Sequence, residues 1–144
     1  MIEKILDKAE QNEDYVVELT RKLVRVNSVN PPGNESETAQ IVGEELEKIG
    51  FKVQYVEPAP KRVNVVAELE GRHTGKQLIF NGHLDVVPTG DLSNWSCDPF
   101  EGLVRDGKIF GRGAADMKGA VAAIVASAKS LVNSAVDLKG KYVV

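Results

Sequence analysis

The segment Met117–Leu131 (MKGAVAAIVASAKSL) carries alanine, valine, isoleucine and leucine around most of its helical circumference. A helix apolar on most faces cannot lie on a surface and must be buried between layers. Its partners are legible nearby. Leu78-Ile79-Phe80 is a short continuous apolar run, the pattern of a strand buried on both faces. Phe51, Val53 and Tyr55 alternate with polar residues, and Val63–Leu69 forms a second strand-like stretch.

Two further helices precede the strands. Val16, Leu19, Leu23 and Val26 recur at helical spacing within a segment from about Asn12 to Val26, with Asn12 placed to cap it. Asn30-Pro31-Pro32-Gly33 breaks the chain, because two prolines remove two backbone donors and fix φ. A second helix is expected from Asn34, with Glu37 three residues on as a capping box and Ala39, Val42, Leu46 and Ile49 as the buried stripe. Gly50 suits its left-handed stop. Glu70–Lys76 is expected as a polar turn and 88–99 as a loop. Asp106-Gly107 between Leu103–Arg105 and Lys108–Phe110 signals a hairpin. Lys141–Val144 opens another strand. This order predicts an α/β fold, a layered mixed sheet flanked by helices.

The chain of 144 residues suits one domain. Its net charge of −3 argues against a general nucleic-acid binder, since neutralising phosphates needs a basic surplus. The single cysteine, Cys97, excludes an internal disulfide and fits a reduced, cytoplasmic setting; no base near it in sequence supports a nucleophilic role. The longest apolar run, Ala120–Ala128, falls well short of the roughly 20 residues that span a bilayer. No membrane or nucleic-acid partner is therefore expected.

Two segments carry chemistry. The first is Phe80-Asn81-Gly82-His83-Leu84-Asp85-Val86-Val87-Pro88, just past a strand end, where α/β sheets bind ligands. A metal-ligating histidine usually gives its other ring nitrogen to a carboxylate, and Asp85, two residues on in extended chain, points to the same side as His83. Alone, the pair also reads as ordinary loop. The second segment is Gly111-Arg112-Gly113-Ala114-Ala115-Asp116-Met117-Lys118-Gly119, entered by a strand and left by a helix. Asp116 reads as a helix cap or as a metal carboxylate. A dinucleotide loop is excluded, because the third position of that fingerprint needs Gly or Ala and a carboxylate there repels pyrophosphate. Arg112 is expected to brace its loop rather than face a substrate, Lys118 to be solvated, His73 to be solvated in its polar turn, and Trp95 and Phe100 to anchor the long loop.

In this order and spacing, GHLDVVPTGD, NWSCDPFEG and DGKIFGRGAADMKG, with the upstream Asn30–Glu35 motif, resemble the M20 metallopeptidase family, and within it the acetylornithine deacetylases and succinyl-diaminopimelate desuccinylases. The resemblance covers most of the chain. It implies a zinc-peptidase-like catalytic domain with two zinc ions, cobalt or manganese being alternatives. His83 matches a zinc ligand, Asp85 the catalytic acid that orients and polarises that histidine, and Asp116 the carboxylate bridging both metals, followed by a cis peptide to Met117. It implies cleavage of amide bonds in N-acyl amino acids or small peptides, and a homodimeric full-length protein. The general-base glutamate, an adjacent zinc-binding glutamate, the last histidine and an inserted lid would follow the strand that begins at Lys141. Residues 1–144 are thus expected to be an N-terminal part of the catalytic domain, inactive alone. The alternative is a non-catalytic remnant that folds partly or needs a partner.

Overall fold

The structure, a computed structural model, describes residues 2–144. Helix α1 (Ile2–Glu10) comes first and leads into α2 (Glu13–Val24). The periodicity reading began at Asn12 and passed over α1, whose Ile2 and Leu6 are exposed. Helix α3 spans Ser36–Lys48, and Gly50 follows it at φ +95, the expected left-handed stop.

Neither expected cap forms. Asn12 stands at the N-terminal boundary of α2 without a side-chain cap; its amide instead donates to Ser130 Oγ at 2.8 Å in the interior. The boundary of α3 falls on Glu35 rather than Asn34, again without a capping side chain. A tertiary partner, Ser130, took the Asn12 amide.

Strands β1 (Lys52–Ala59), β2 (Arg62–Glu70) and β3 (His73–Ile79) follow. The hairpin of β4 (Leu103–Arg105) and β5 (Lys108–Phe110) turns on Asp106 and Gly107, both at positive φ, as the Asp-Gly pair predicted. Helix α4 (Gly119–Asn133) and strand β6 (Lys139–Val143) complete the order. The sheet runs β1-β2-β6-β3, with β2 antiparallel to β1 and β6, and β3 parallel to β6. It is the expected mixed sheet, with helices packed on it.

Helix α4 supplies Val121, Ala122, Val125 and Ala128 to a core shared with Leu23 of α2, Leu46 of α3, Ala67 of β2 and Tyr142 of β6. Burying a leucine such as Leu23 contributes about 1.5–3 kcal/mol. Tyr142 sits between Phe51, edge-on at 5.7 Å, and Phe80 at 5.3 Å.

Strand β3 differs from expectation twice. It begins at His73, so part of the supposed turn is strand, and His73 is exposed beside Asp137 at 3.0 Å. It is also not buried on both faces: Leu78 is 53% exposed and Ile79 61%. The apolar run is intrinsic to the strand, but β3 forms an edge of the sheet, where these two side chains stay more than half exposed. No helix among the described residues is long and apolar enough to cross a membrane.

Candidate metal centre

Residues 81–87 leave the end of β3 in extended chain and run beside a second segment. Val29 and Val86 form a parallel bridge. Asn30 N donates to Val86 O at 2.8 Å, Val86 N to Ser28 O at 3.0 Å, and Ser28 Oγ to Leu84 O at 2.8 Å. These bonds fix the backbone on both sides of Asp85.

Within that frame Nδ1 of His83 faces the Asp85 backbone carbonyl at 3.0 Å and its carboxylate Oδ1 at 3.3 Å. The sequence anticipated the carboxylate; the carbonyl is the shorter partner. Asn30 Nδ2 donates to the other carboxylate oxygen, Asp85 Oδ2, at 2.8 Å.

The second motif arrives from β5. Gly113 adopts φ +82 with Val86 packed against its Cα, where a Cβ would collide with the valine side chain. The chain then makes a wide helical turn at Ala114–Lys118, interrupted by Asp116 (φ −132, ψ 95) and Met117 (φ −134, ψ 30). The Asp116–Met117 peptide is cis, as the family resemblance implied. This turn brings Asp116 Oδ1 to 2.9 Å from His83 Nε2. His83, Asp85 and Asp116 all line one cavity of about 210 Å³, with Arg112 and Gly113 on its wall. A larger cavity of about 700 Å³ lies on the sheet side, bounded by Arg62, Phe80, His83 and Ile124.

The electrostatics follow from these contacts. Burial opposes a charge on His83, but the bond to Asp116, the Asp85 carbonyl and the two carboxylates outweigh it and hold its pKa above the ordinary value. The Asn30 hydrogen bond outweighs burial at Asp85 and, with His83 and Arg62, keeps its carboxyl below the usual range.

Lys118 was expected in solvent and is instead 1% exposed. Its ammonium donates to Leu23 O at 2.8 Å and Val26 O at 2.7 Å, at the C-terminal end of α2, where a cation also meets the negative end of the helix dipole. Burial pushes its pKa down to about 8. Arg112 braces the loop as expected: its guanidinium stacks 5.1 Å over Trp95, and both Nη2 of Arg112 and Nε1 of Trp95 reach Thr89 O.

Comparisons with known proteins find relatives by sequence and by fold. The family model described as peptidase family M20/M25/M40 covers residues 79–144, which hold both motifs. Succinyl-diaminopimelate desuccinylase from Buchnera aphidicola subsp. Acyrthosiphon pisum is 41% identical over 129 residues, covering 88% of this chain and 32% of that protein. Over both motifs the chain is similar to the M20 peptidases.

Solved structures carry the same fold. An M20 family metallo-carboxypeptidase from Sulfolobus solfataricus superposes with a TM-score of 0.76 at 27% identity, covering 89% of this chain and 30% of that one. Human carnosine dipeptidase 1 gives a TM-score of 0.80 at 24% identity, over 98% and 33% of the two chains. A dipeptidase from Saccharomyces cerevisiae gives 0.82 at 18% identity, over 99% and 33%. The chain thus spans about a third of the length of the relatives it matches.

The donors here suit a metal in type. With Nδ1 engaged by Asp85, Nε2 is the ring nitrogen left for a cation, and it faces a carboxylate. In number they fall short, since zinc takes about four ligands. Among the described residues, no three His, Cys, Asp or Glu side chains converge on one point.

Asn30 and Lys118 are the site neighbours that sequence reasoning missed. Asn30 was read as part of a proline break and of the Asn30–Glu35 motif, without a role of its own. Lys118 carried no signal, because a lysine in the first turn of a helix is ordinarily solvated.

Proposed function

We propose that this chain forms the N-terminal part of the catalytic domain of a metal-dependent amidohydrolase acting on N-acyl amino acids or small peptides, of the desuccinylase or deacetylase type. The observation that carries it is the chain Asp85–His83–Asp116, which turns one imidazole nitrogen toward a carboxylate in a cavity at a strand end.

His83 Nε2 and Asp116 would hold the metal, with Asp116 bridging in a two-metal site. Zinc fits an imidazole with carboxylates; cobalt and manganese fit the same donors. When bound, such a pair supplies polarisation of the scissile carbonyl and an acidified water. The protein's own residues do the positioning. Asp85 holds the ring in the tautomer that leaves Nε2 free and raises its basicity. The wall of Arg112 and Gly113 shapes the pocket beside it. In a cytoplasmic, homodimeric full-length protein this half of the site would meet the remaining ligands and the general base.

The chain by itself is proposed to be inactive. Its acidic residues in the 210 Å³ cavity are Asp85 and Asp116, one committed to the histidine and the other to the metal, so none there is left to take a proton from water. Loss of a general base costs about 10²–10⁴ in rate. The test assays the purified chain, and the longer protein containing it, on N-succinyl-diaminopimelate and N-acetylornithine with and without added zinc. Metal-dependent turnover by the longer protein alone is expected. Turnover by the chain alone would overturn its inactivity, and no turnover by either would overturn the hydrolase reading.

A further inference from the structure

Strand β6 runs between β2 and β3, and both neighbours reach beyond the stretch it covers. It pairs with β2 at Glu68, Leu69 and Glu70. Ala67 closes that ladder by exchanging two backbone bonds with Val144, at 2.8 and 2.9 Å. Strand β2 extends further, to Arg62. On the opposite side Phe80 N donates to Val143 O at 2.9 Å, and the chain runs on through Gly82 toward Asp85. Between these walls lies the cavity of about 700 Å³, lined by residues 63–66 and 80–85. Helices α3 and α4 form its floor through Val42, Val121 and Ile124.

Both walls turn backbone groups toward this cavity. In an antiparallel ladder alternate residues direct N–H and C=O to the same neighbour. Ala67 faces Val144, so Val65 and Val63 face the cavity. By the same alternation Phe80 O and both backbone groups of Gly82 face it from the other wall. Among the described residues, none of these groups hydrogen-bonds across the cavity. At its mouth the walls stand two strand spacings apart, about 9.5 Å, because β6 lies between them.

Few occupants satisfy two such walls. A helix spends its N–H and C=O groups internally, and a small molecule does not repeat them at a strand's rise. A second folded copy does not fit either, because each of its strands is already paired along at least one edge. The occupant must be extended chain with both edges free.

We propose that this cavity binds an extended segment of a partner polypeptide as a central strand, antiparallel to β2 and parallel to residues 80–82. Five residues, about 17 Å, cover the wall from Val66 to Arg62. The register continues that of β6, in which Tyr142 lies opposite Leu69 and Val144 opposite Ala67. Tyr142 and Ala67 are buried on the core face. Partner residues opposite Val65 and Val63 share that face, over Val42, Val121 and Ile124, and suit β-branched apolar side chains. The other three project to the opposite face, beside the exposed Val66 and Asn64. The partner motif is therefore polar–apolar–polar–apolar–polar. Its far end meets His83 and Asp85, which line the same cavity. The proposal stands independently of the metal reading.

The probe is the acetylated and amidated peptide Thr-Val-Thr-Val-Thr, titrated to millimolar concentration into the full chain. Amide exchange is followed residue by residue by NMR. Exchange should slow at Val63, Val65 and Gly82, whose N–H groups gain partners. N-methylation of both peptide valines removes the donors that face the Val65 and Val63 carbonyls and should abolish binding. Aspartate in place of both valines should abolish it as well, because it sets charge against an apolar floor.

No binding of the parent peptide would overturn the proposal, as would equal binding of its N-methylated form. Slowed exchange along His73–Ile79 instead would place the peptide on the outer edge of β3 and equally overturn it. Protection of Val63, Val65 and Gly82 that rises with chain concentration in the absence of peptide would make a second copy the occupant, contrary to the proposal.

Discussion

Nε2 of His83 lies 2.9 Å from Oδ1 of Asp116, 33 positions further along the chain. The intervening residues include a loop, a hairpin and the kinked turn at Ala114–Lys118. Those elements bring a strand-end histidine against a helix-start carboxylate, while Asp85 holds the ring from its other nitrogen.

Asp85 and Asp116 should separate by the size of their effects. Asp116→Ala removes a direct donor, while Asp85→Ala removes a support worth about 10–100-fold in affinity. Zinc titrations of both variants should therefore rank Asp116→Ala as the weaker binder. The reverse order would show that Asp85, not Asp116, is the ligand.

Zinc binding should release protons and weaken in acid. Both ring nitrogens of His83 face acceptors, an arrangement that favours the doubly protonated ring and raises its pKa. A cation at Nε2 must displace that proton. Affinity should fall as pH drops through the raised pKa of His83, beginning above the ordinary value of 6.5. The same heat of binding measured in buffers of different ionisation enthalpy would contradict proton release.

The candidate site was largely legible in the sequence, because its residues sit in two short motifs whose order and spacing are specific. The core helix was also legible, since an apolar circumference leaves burial as the only option. The errors have one source: sequence fixes a residue's local preference but not its neighbour. Lys118 has the composition of a solvated helix start, yet the end of α2 offers two carbonyls to its ammonium. Leu78 and Ile79 have the composition of a covered strand, yet β3 lies at the sheet edge. Asn12 favours a local capping role and was taken by Ser130, distant in sequence.

Lys118 gives a stability prediction at alkaline pH. Its folded pKa of about 8 lies below the ordinary 10.5, so between these values the unfolded chain binds more protons than the folded one. Stability from this group should therefore rise as pH increases across that window, and its full burial penalty should apply below it. Chemical denaturation of wild type and Lys118→Met measures this, with wild type gaining on the variant from pH 8 to 10.5. A constant difference between them would contradict the buried, depressed ammonium.

The exposed edge of β3 predicts self-association. Leu78 and Ile79 present apolar side chains on a strand with an open hydrogen-bonding edge, a template for pairing with another chain. Ile79→Lys should shift the sedimentation profile toward monomer, because an edge charge disfavours pairing. Unchanged association would place the contact elsewhere.

The central claim, that His83 is the imidazole ligand of a metal centre, is tested most directly by X-ray absorption on the zinc-loaded chain. The chain has two histidines, and His73 stands beside Asp137 on β3, apart from the cavity that holds Asp116. Imidazole scattering from zinc is expected in wild type and His73→Ala and should vanish in His83→Ala. Imidazole scattering that survives in His83→Ala would contradict the account.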